Sequence, residues 1–209
     1  MKKKHVERFT SQYLLPHLEG FRAGGNLLYQ VPVGDILRAF LFDSSAFSKE
    51  SFYPEVFVQP LYVPVDHVTL TAGERFLGSW EFAVGEEEKL KSRLLNEMRN
   101  FGLPFLRRHG SAEGLVRELR SSKGIALNPR LRQVLAYSLL ILGQNDEGLD
   151  ELDKLLAMLD LTPEGPPWHR SLHEEVGGLR ELLMRAPADV VSTLRRWAAE
   201  TRQKLALAE

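Results

Sequence analysis

The sequence predicts an α+β fold: an N-terminal helix, an antiparallel sheet of about four strands with a covering helix, and then an all-α helical half. Two observations predict this class. Segments rich in aromatic and β-branched residues, typical of strands, end near residue 84. After Gly85 the apolar residues recur at the helical period of about 3.6 residues up to the C-terminus. We therefore divide the chain into an α+β domain over residues 1–122 and a helical domain over 123–209, with a joint near 121–128.

In the N-terminal half, residues 3–19 form an amphipathic pattern that carries Val6, Phe9 and Leu14 on one face, which predicts a helix. Gly24 and Gly25 favour a turn after it. The predicted strands cover residues 26–31, 35–43, 51–64 and 73–84. A helix follows over residues 86–101, and Gly-Leu-Pro at 102–104 is expected to end it.

Helix-capping residues divide the rest of the chain. Ser111 is a candidate N-cap for a short helix that ends near Ser121, and Asn128 with Pro129 is a second N-cap pair. Gly143 is expected to end that second helix, and the next begins at Asn145 or Asp146. The apolar faces predicted for the last three helices are Leu149, Leu152, Leu156 and Leu159; then Leu172, Val176, Leu179 and Leu183; then Val190, Leu194, Trp197, Thr201 and Leu205.

The third strand, "SFYPEVFVQPLYVP", combines strand-forming residues with three prolines. Proline donates no hydrogen bond to a neighbouring strand, so the simplest interpretation is a long, bent edge strand protected against pairing with another chain. A second interpretation is that the strand leaves aromatic surface for a partner protein. The candidate partner-binding residues are Tyr53, Phe57 and Tyr62, and Phe57 shares the side of Glu55 and Gln59, which we expect to be the wetter one.

Charge is unevenly distributed along the helical part. Residues 107–132 carry seven basic and two acidic side chains, and residues 145–165 carry seven acidic side chains and one basic. The basic segment supplies candidate phosphate contacts, namely Arg107, Arg108, Arg117 and Arg120. The alternative is that the two segments neutralise each other within the fold or lie on solvated faces.

Several kinds of chemistry find no support in the sequence. The chain has no cysteine, so thiolate metal sites, disulfides and cysteine nucleophiles are excluded. No phosphate-binding loop or nucleophile elbow is present. His169 and His173 lie one helical turn apart, but no third ligand is indicated, so we expect no metal. Asp66, His67 and His109 could work with Glu55 or Glu81 in acid–base chemistry only if the fold brings them together. We expect no cofactor.

Two stretches resemble known families. "ERFTSQYLLPHLEGFRAGGNLLYQV", "FLFDSS", "FYPEVFVQPLYVP" and "GLPFLRRHGSAEGLVREL" resemble a bacterial α+β domain family of unknown function, often found in toxin-immunity and defence neighbourhoods. That resemblance covers roughly residues 5–120. "LAYSLLILGQNDEGLDELDKLL" is similar to a single tetratricopeptide-type helical hairpin, with Gly143 in the turn and Gly148 at the small-residue packing position. No second copy follows at the spacing of about 34 residues that a solenoid requires.

The first resemblance implies a non-enzymatic bacterial protein-binding module, such as an immunity protein or an accessory subunit of a toxin or defence system. The alternative is a nucleotide- or nucleic-acid-acting enzyme that contacts phosphates through residues 107–132. A formal net charge of −1 makes nucleic acid and anionic membranes unfavoured partners. No apolar run is long enough to span a bilayer, so we expect a cytoplasmic protein whose partner is another protein. The oligomeric state stays open.

Overall fold

The structure is a computed structural model that describes residues 3–44, 50–83, 85–160 and 166–207. The described residues form two compact units. The sheet unit holds those within 1–59, 68–110 and 206–209, and the helical unit holds those within 60–67 and 111–205. The domain boundary at 122 and 123 stays a prediction, although the contacts group residues 112–121 with the helices that follow. Across the described part of the chain, no helix has the length and apolar character to cross a membrane.

A five-stranded antiparallel sheet forms the centre of the sheet unit, which confirms the predicted class. The strands are β1 (Phe21–Gly24), β2 (Leu27–Gln30), β3 (Ile36–Ser44), β4 (Phe52–Pro60) and β5 (Ala72–Arg75), and their order in the sheet follows the chain. β1 was not predicted. The Gly24-Gly25 turn is present, but it joins β1 to β2, with Phe21 opposite Gln30 and Gly25 at a φ of 62°.

The predicted fourth strand, residues 73–84, is correct only at its start. β5 ends at Arg75, and Gly78 then adopts a φ of 102°, which a regular strand does not accommodate. The chain returns to β4 through an isolated bridge between Ser51 and Glu81 and through the bond from the Phe52 amide to the Trp80 carbonyl.

β4 is not an edge strand, and that prediction is wrong. It lies between β3 and β5, with Glu55 opposite Arg75 and Val58 opposite Ala72. The prolines are tolerated because of where they fall. Pro54 accepts a hydrogen bond from the Phe76 amide just past the end of β5, so its missing N–H coincides with the end of the ladder. Pro60 is the last residue of β4.

The N-terminal helix packs against this sheet, as predicted. α1 (Lys3–Phe9) continues into a π-helical turn over Thr10–Leu14 and a 3₁₀ turn over Leu15–His17. The Phe9 ring meets the Phe82 ring at 5.0 Å, and Phe82 in turn lies 4.7 Å from Phe52 of β4. Aromatic contacts therefore fix the helix on the sheet.

The helix after the sheet does not end at Gly-Leu-Pro. α2 (Glu87–Glu97) passes through a π-helical turn over Met98–Gly102 into α3 (Leu103–His109). Pro104 lies two residues after the end of this π-helical turn, so the proline, which donates no backbone hydrogen bond, lies where the helical ladder is already irregular. A Cβ on Gly102 would clash with the Phe40 ring of β3, so glycine lets this turn approach the sheet closely.

The helical unit contains α4 (Ala112–Ser121), α5 (Pro129–Ile141), α6 (Asn145–Asp160), α7 (Pro167–Arg185) and α8 (Val190–Lys204). Three predicted helix ends are confirmed by their hydrogen bonds. The Ser111 hydroxyl accepts from the Gly114 amide, and Asn128 Oδ1 accepts from the amides of Arg130 and Leu131. Gly143, at a φ of 73°, ends α5: its amide bonds the Leu140 carbonyl and the Gln144 amide bonds the Leu139 carbonyl.

The buried helix faces match the predicted ones to different degrees. α7 buries Leu172, Val176, Leu179 and Leu183, as predicted. α6 buries Gly148, Leu152, Leu155 and Leu159, so its face is rotated from the predicted one and Leu149 and Leu156 are half-exposed. α8 buries Ala198 rather than Trp197. α5 buries residues all around its axis because α4, α6 and α8 contact it from different directions.

Candidate functional site

The three aromatic residues proposed as partner contacts lie in different settings. Phe57 of β4 has no solvent exposure, so it offers no surface to a partner and that expectation is wrong. Tyr62 is also fully buried, in the helical unit, where its hydroxyl lies 2.7 Å from Ser138 Oγ. Tyr53 is half-buried, and the Arg75 guanidinium lies 4.4 Å from its ring centroid. Of the three, Tyr53 alone retains accessible surface.

On the side of β4 that was expected to be wet, Glu55 and Gln59 are both shielded from solvent. Glu55 is buried and accepts hydrogen bonds from Nε and Nη2 of Arg75 at 2.8 and 2.6 Å. Gln59 is buried too, and its Oε1 accepts from the Thr69 amide. Their polar character did not indicate solvent contact because both residues have hydrogen-bond partners within the fold.

Two arginines of the basic segment are engaged by acidic residues of the helical unit. Arg120 of α4 pairs with Glu147 of α6. Arg132 of α5 donates from Nη1 to Glu151 at 2.5 Å, and the two side chains are only 13% and 14% exposed. The predicted alternative of mutual neutralisation is thus confirmed for these two arginines. Arg107 and Arg108 are exposed on α3 of the sheet unit, and Arg117 is exposed on α4.

Two of the candidate phosphate contacts line an open depression of about 480 Å³ in the helical unit. Its lining comprises Glu113, Val116, Arg117, Arg120, Ser121, Leu142 and Gln144. Val116 and Leu142 are the apolar residues of this lining. Glu113 lies in the same lining as the two arginines, and Glu147 engages Arg120, so the depression is not strongly cationic.

His169 and His173, the two candidate metal ligands, each contact another residue. His173 Nε2 lies 3.0 Å from Asp160 Oδ1, and the His169 ring packs edge-on against Trp168. Within the residues that the structure describes, no group of three or more His, Asp and Glu residues could hold a metal ion. Asp66 and His67 pair with each other at exposed positions, and the hydrogen bond from His67 lowers the pKa of Asp66. His109 stacks on Phe105 at the end of α3.

A network that contains two groups with raised pKa values lies between α5 and α7, and the sequence did not predict it. Glu175 of α7 accepts two hydrogen bonds at the same oxygen, Oε1, from Gln133 Nε2 at 2.7 Å and from the Tyr137 hydroxyl at 2.8 Å. Arg130 donates from Nη1 to Gln133 Oε1 at 3.0 Å. Arg130, Gln133 and Tyr137 are spaced three and four apart on α5, so one helix face presents all three.

The environment of this network controls its charge. Burial raises the pKa of the Glu175 carboxyl above its ordinary value, although the hydrogen bond from Tyr137 and the charge of Arg130 act in the opposite direction. Burial also raises the pKa of the Tyr137 hydroxyl well above its ordinary value, and the neighbouring Glu175 adds to that effect. Tyr137 therefore stays protonated and donates to Glu175, and the network fixes α5 against α7 and orients Arg130.

At the solvent end of the network, Arg130 lies against an accessible tryptophan. Its guanidinium is 4.8 Å from the centroid of the Trp168 ring, and Trp168 is 37% exposed. Leu127, three residues before Arg130, is 86% exposed. No local motif marks this arrangement, because Glu175 is separated from Gln133 by 42 residues in the chain. The available signal was a glutamine and a tyrosine within the largely apolar segment 133–141 of α5.

Comparison of the chain with family models, with curated proteins and with solved structures finds no match. The two resemblances read from the sequence therefore stay expectations.

Proposed function

We propose that this chain is a non-enzymatic protein-binding module, acting in the bacterial cytoplasm as an immunity protein or an accessory subunit of a toxin or defence system. The observation that carries the proposal is the contrast within the helical unit between satisfied polar groups and exposed large apolar ones. Arg120, Arg132 and Arg180 are paired with acidic residues. Leu127, Trp168 and Met184 are left accessible. Accessible apolar groups framed by polar residues are typical of recognition surfaces.

The chemistry of the Glu175 network supports binding rather than catalysis. Glu175 is a carboxyl group with a raised pKa, as general acids and bases often are. However, two neutral protein donors already occupy its Oε1, and its neighbour Tyr137 is fully buried. Neither group lines the depression beside α4. The role supported best is structural: the network holds Arg130 in a fixed pose.

One observation favours the enzymatic alternative, namely that Arg117 and Arg120 share the lining of the depression. An anionic ligand there would have to displace Glu147 from Arg120 or bind Arg117 alone. If nucleotide turnover or nucleic-acid cleavage is measured with the purified chain and is lost in Arg117→Ala, this alternative replaces the binding proposal.

The proposed function is tested by isolating and reconstituting a complex. The tagged chain is used for affinity capture from its native host, and each captured protein is purified separately and titrated into the chain by isothermal calorimetry. We expect saturable binding with a defined stoichiometry for one captured protein. Failure of every captured protein to bind the purified chain would refute the proposal.

A further inference from the structure

Leu127 is an apolar side chain that the fold holds in solvent. It precedes the N-cap Asn128, a position whose apolar residue usually packs against the fourth residue of the helix. Here that fourth residue is Arg132, which is committed to Glu151 and to the Ile125 carbonyl. The backbone around Leu127 is nevertheless well bonded, since the amides of Leu127 and Asn128 both donate to the Gly124 carbonyl. Leu127 is thus exposed on an ordered turn, which lowers the entropy lost on binding.

Arg130 is the exposed residue three positions after Leu127, and it contacts Trp168 of α7. The guanidinium stacks on the indole, and its Nη1 is tied through Gln133 to Glu175, so its pose is set before any partner arrives. Tryptophan and arginine are the residue types that most often dominate binding energy in protein interfaces. A stacked guanidinium still has donors available for a carboxylate.

The basic side chains of this surface form no ion pairs. Lys123 lies four residues before Leu127 and, like Arg130, is exposed. Within the described parts of the chain, neither Lys123 nor Arg130 forms an ion pair, unlike Arg120, Arg132 and Arg180, and the carboxylate coupled to Arg130 is that of Glu175, which Arg130 reaches only through Gln133. The first turns of α5 and α7 contain no acidic residue, and the acidic side chain nearest in sequence on the exposed part of α7 is Glu174. Such a surface complements negative charge.

We propose that Lys123, Leu127, Arg130 and Trp168, here called the basic apolar surface, bind an acidic protein segment that carries an apolar or aromatic side chain. The apolar side chain contacts Leu127 and Trp168, and carboxylates of the segment accept hydrogen bonds from Arg130 with support from Lys123. This inference rests on the proposed function and names the surface and the chemistry of the partner.

The direct test uses the intact chain and short synthetic peptides of Asp, Glu, Leu and Phe, with peptides in which Lys replaces the acidic residues as controls. The chain has three tryptophans, so a ¹H–¹⁵N spectrum contains three indole signals, and Trp168→Phe assigns one of them. We expect the acidic peptide to shift the Trp168 signal in a saturable, salt-sensitive way, with Trp80 and Trp197 unchanged. Equal binding of the basic peptide, or no shift of the Trp168 signal, would overturn the inference.

Variants then separate this surface from the rest of the chain. Leu127→Ala and Arg130→Ala should each raise the Kd for the acidic peptide by about tenfold. Leu77→Ala is the matched control, because Leu77 is 90% exposed but belongs to the sheet unit, and it should leave the Kd unchanged. The same three variants are titrated with the partner recovered by affinity capture. If that partner binds all three as tightly as the native chain, the basic apolar surface is refuted while the proposed function stands.

Self-association is the competing use of an exposed apolar surface. Sedimentation velocity of the native chain and of Leu127→Ala decides it. We expect the two to sediment as the same species at every concentration. A native dimer that dissociates in Leu127→Ala would assign the surface to a second copy of the chain and overturn the proposal of an acidic partner.

Discussion

Gly148 lies on the face of α6 that packs against α5, and a methyl group there would collide with a fully buried side chain. A Cβ at this position would lie 2.5 Å from Cδ2 and 2.8 Å from Cγ of Leu140, which has no solvent exposure. Carbon atoms in favourable contact lie about 3.5–4.0 Å apart. Because Cγ is the branch point of the leucine, rotating its methyl groups does not relieve both contacts. In Gly148→Ala, Leu140 must leave its rotamer or the two helices must separate.

Gly178 on α7 supplies a matched control for the size of this effect. It is exposed, and no heavy atom lies within 4 Å of its Cβ position. There, alanine should raise the free energy of unfolding by about 0.5–1 kcal/mol through helix propensity and a smaller unfolded-state entropy. Gly148→Ala gains the same stability from helix propensity and unfolded-state entropy. Overpacking, however, lowers the free energy of unfolding by about 1–3 kcal/mol, and the two close contacts with the fully buried Leu140 favour the upper part of that range. We expect a net loss of about 1–2 kcal/mol.

The assay is urea denaturation of the native chain and both variants, followed by far-ultraviolet circular dichroism. The midpoints should move in opposite directions. In a Leu140→Ala background, Gly148→Ala should become neutral or stabilising, because alanine lacks the Cγ and Cδ2 atoms that clash. If Gly148→Ala stabilises the native chain as much as Gly178→Ala does, α5 and α6 are not in the close contact described, and the explanation for glycine at this position fails.

Four further predictions concern buried groups and metal binding. Phe57→Ala should lower the free energy of unfolding by about 3–5 kcal/mol because Phe57 is fully buried, and a thermal melt indistinguishable from that of the native chain would place it at the surface. Leu152→Ala should lower the free energy of unfolding by about 2–5 kcal/mol, because Leu152 is fully buried. Leu149→Ala should lower it clearly less, because Leu149 is half-exposed. Equal shifts in the denaturation midpoint would contradict the register of α6. Because burial raises the pKa of Glu175 in the folded state, its contribution to stability is present at low pH and is lost as the pH rises through that raised pKa. Glutamine does not ionise, so Glu175→Gln should remove this loss. The unfolding free energy of the variant should therefore increase relative to that of the native chain as the pH rises. A difference between the two that does not change with pH would refute the linkage. His169 and His173 should bind no zinc, because two ligands form no stable site; stoichiometric zinc by elemental analysis that is lost in His173→Ala would overturn this.

Several features of the fold could be predicted from the sequence because they depend on residues close together in the chain. Ser111, Asn128 and Gly143 cap helices through bonds to groups within five positions of themselves. The buried face of α7 followed directly from helical spacing. The antiparallel arrangement was also predictable, since short connections between consecutive strands favour neighbouring pairs.

The partners of β4 could not be predicted because they depend on a strand of only four residues. β5 contributes Ala72–Arg75, a segment with no strong strand pattern, yet its pairing makes β4 an interior strand. That pairing also gives Glu55 its ion-pair partner, so a residue expected to mark the wet side is buried. The prolines were correctly recognised as incompatible with a complete ladder, but they fall where the ladder ends rather than along an exposed edge.

The sequence by itself determined the α+β class, the main helix ends and the opposite charges of the 107–132 and 145–165 segments, since each of these depends on composition or on hydrogen bonds within one or two helical turns. Only the tertiary structure decided which charges meet and which groups stay exposed. Arg120 and Arg132 find acidic partners on α6, whereas Arg130, on the same segment, stacks on Trp168 and is linked through Gln133 to the half-buried Glu175. The physical reason is that the side chains on one helix face meet partners from whichever helix packs there, and that packing brings together residues about 20 to 40 positions apart in the chain.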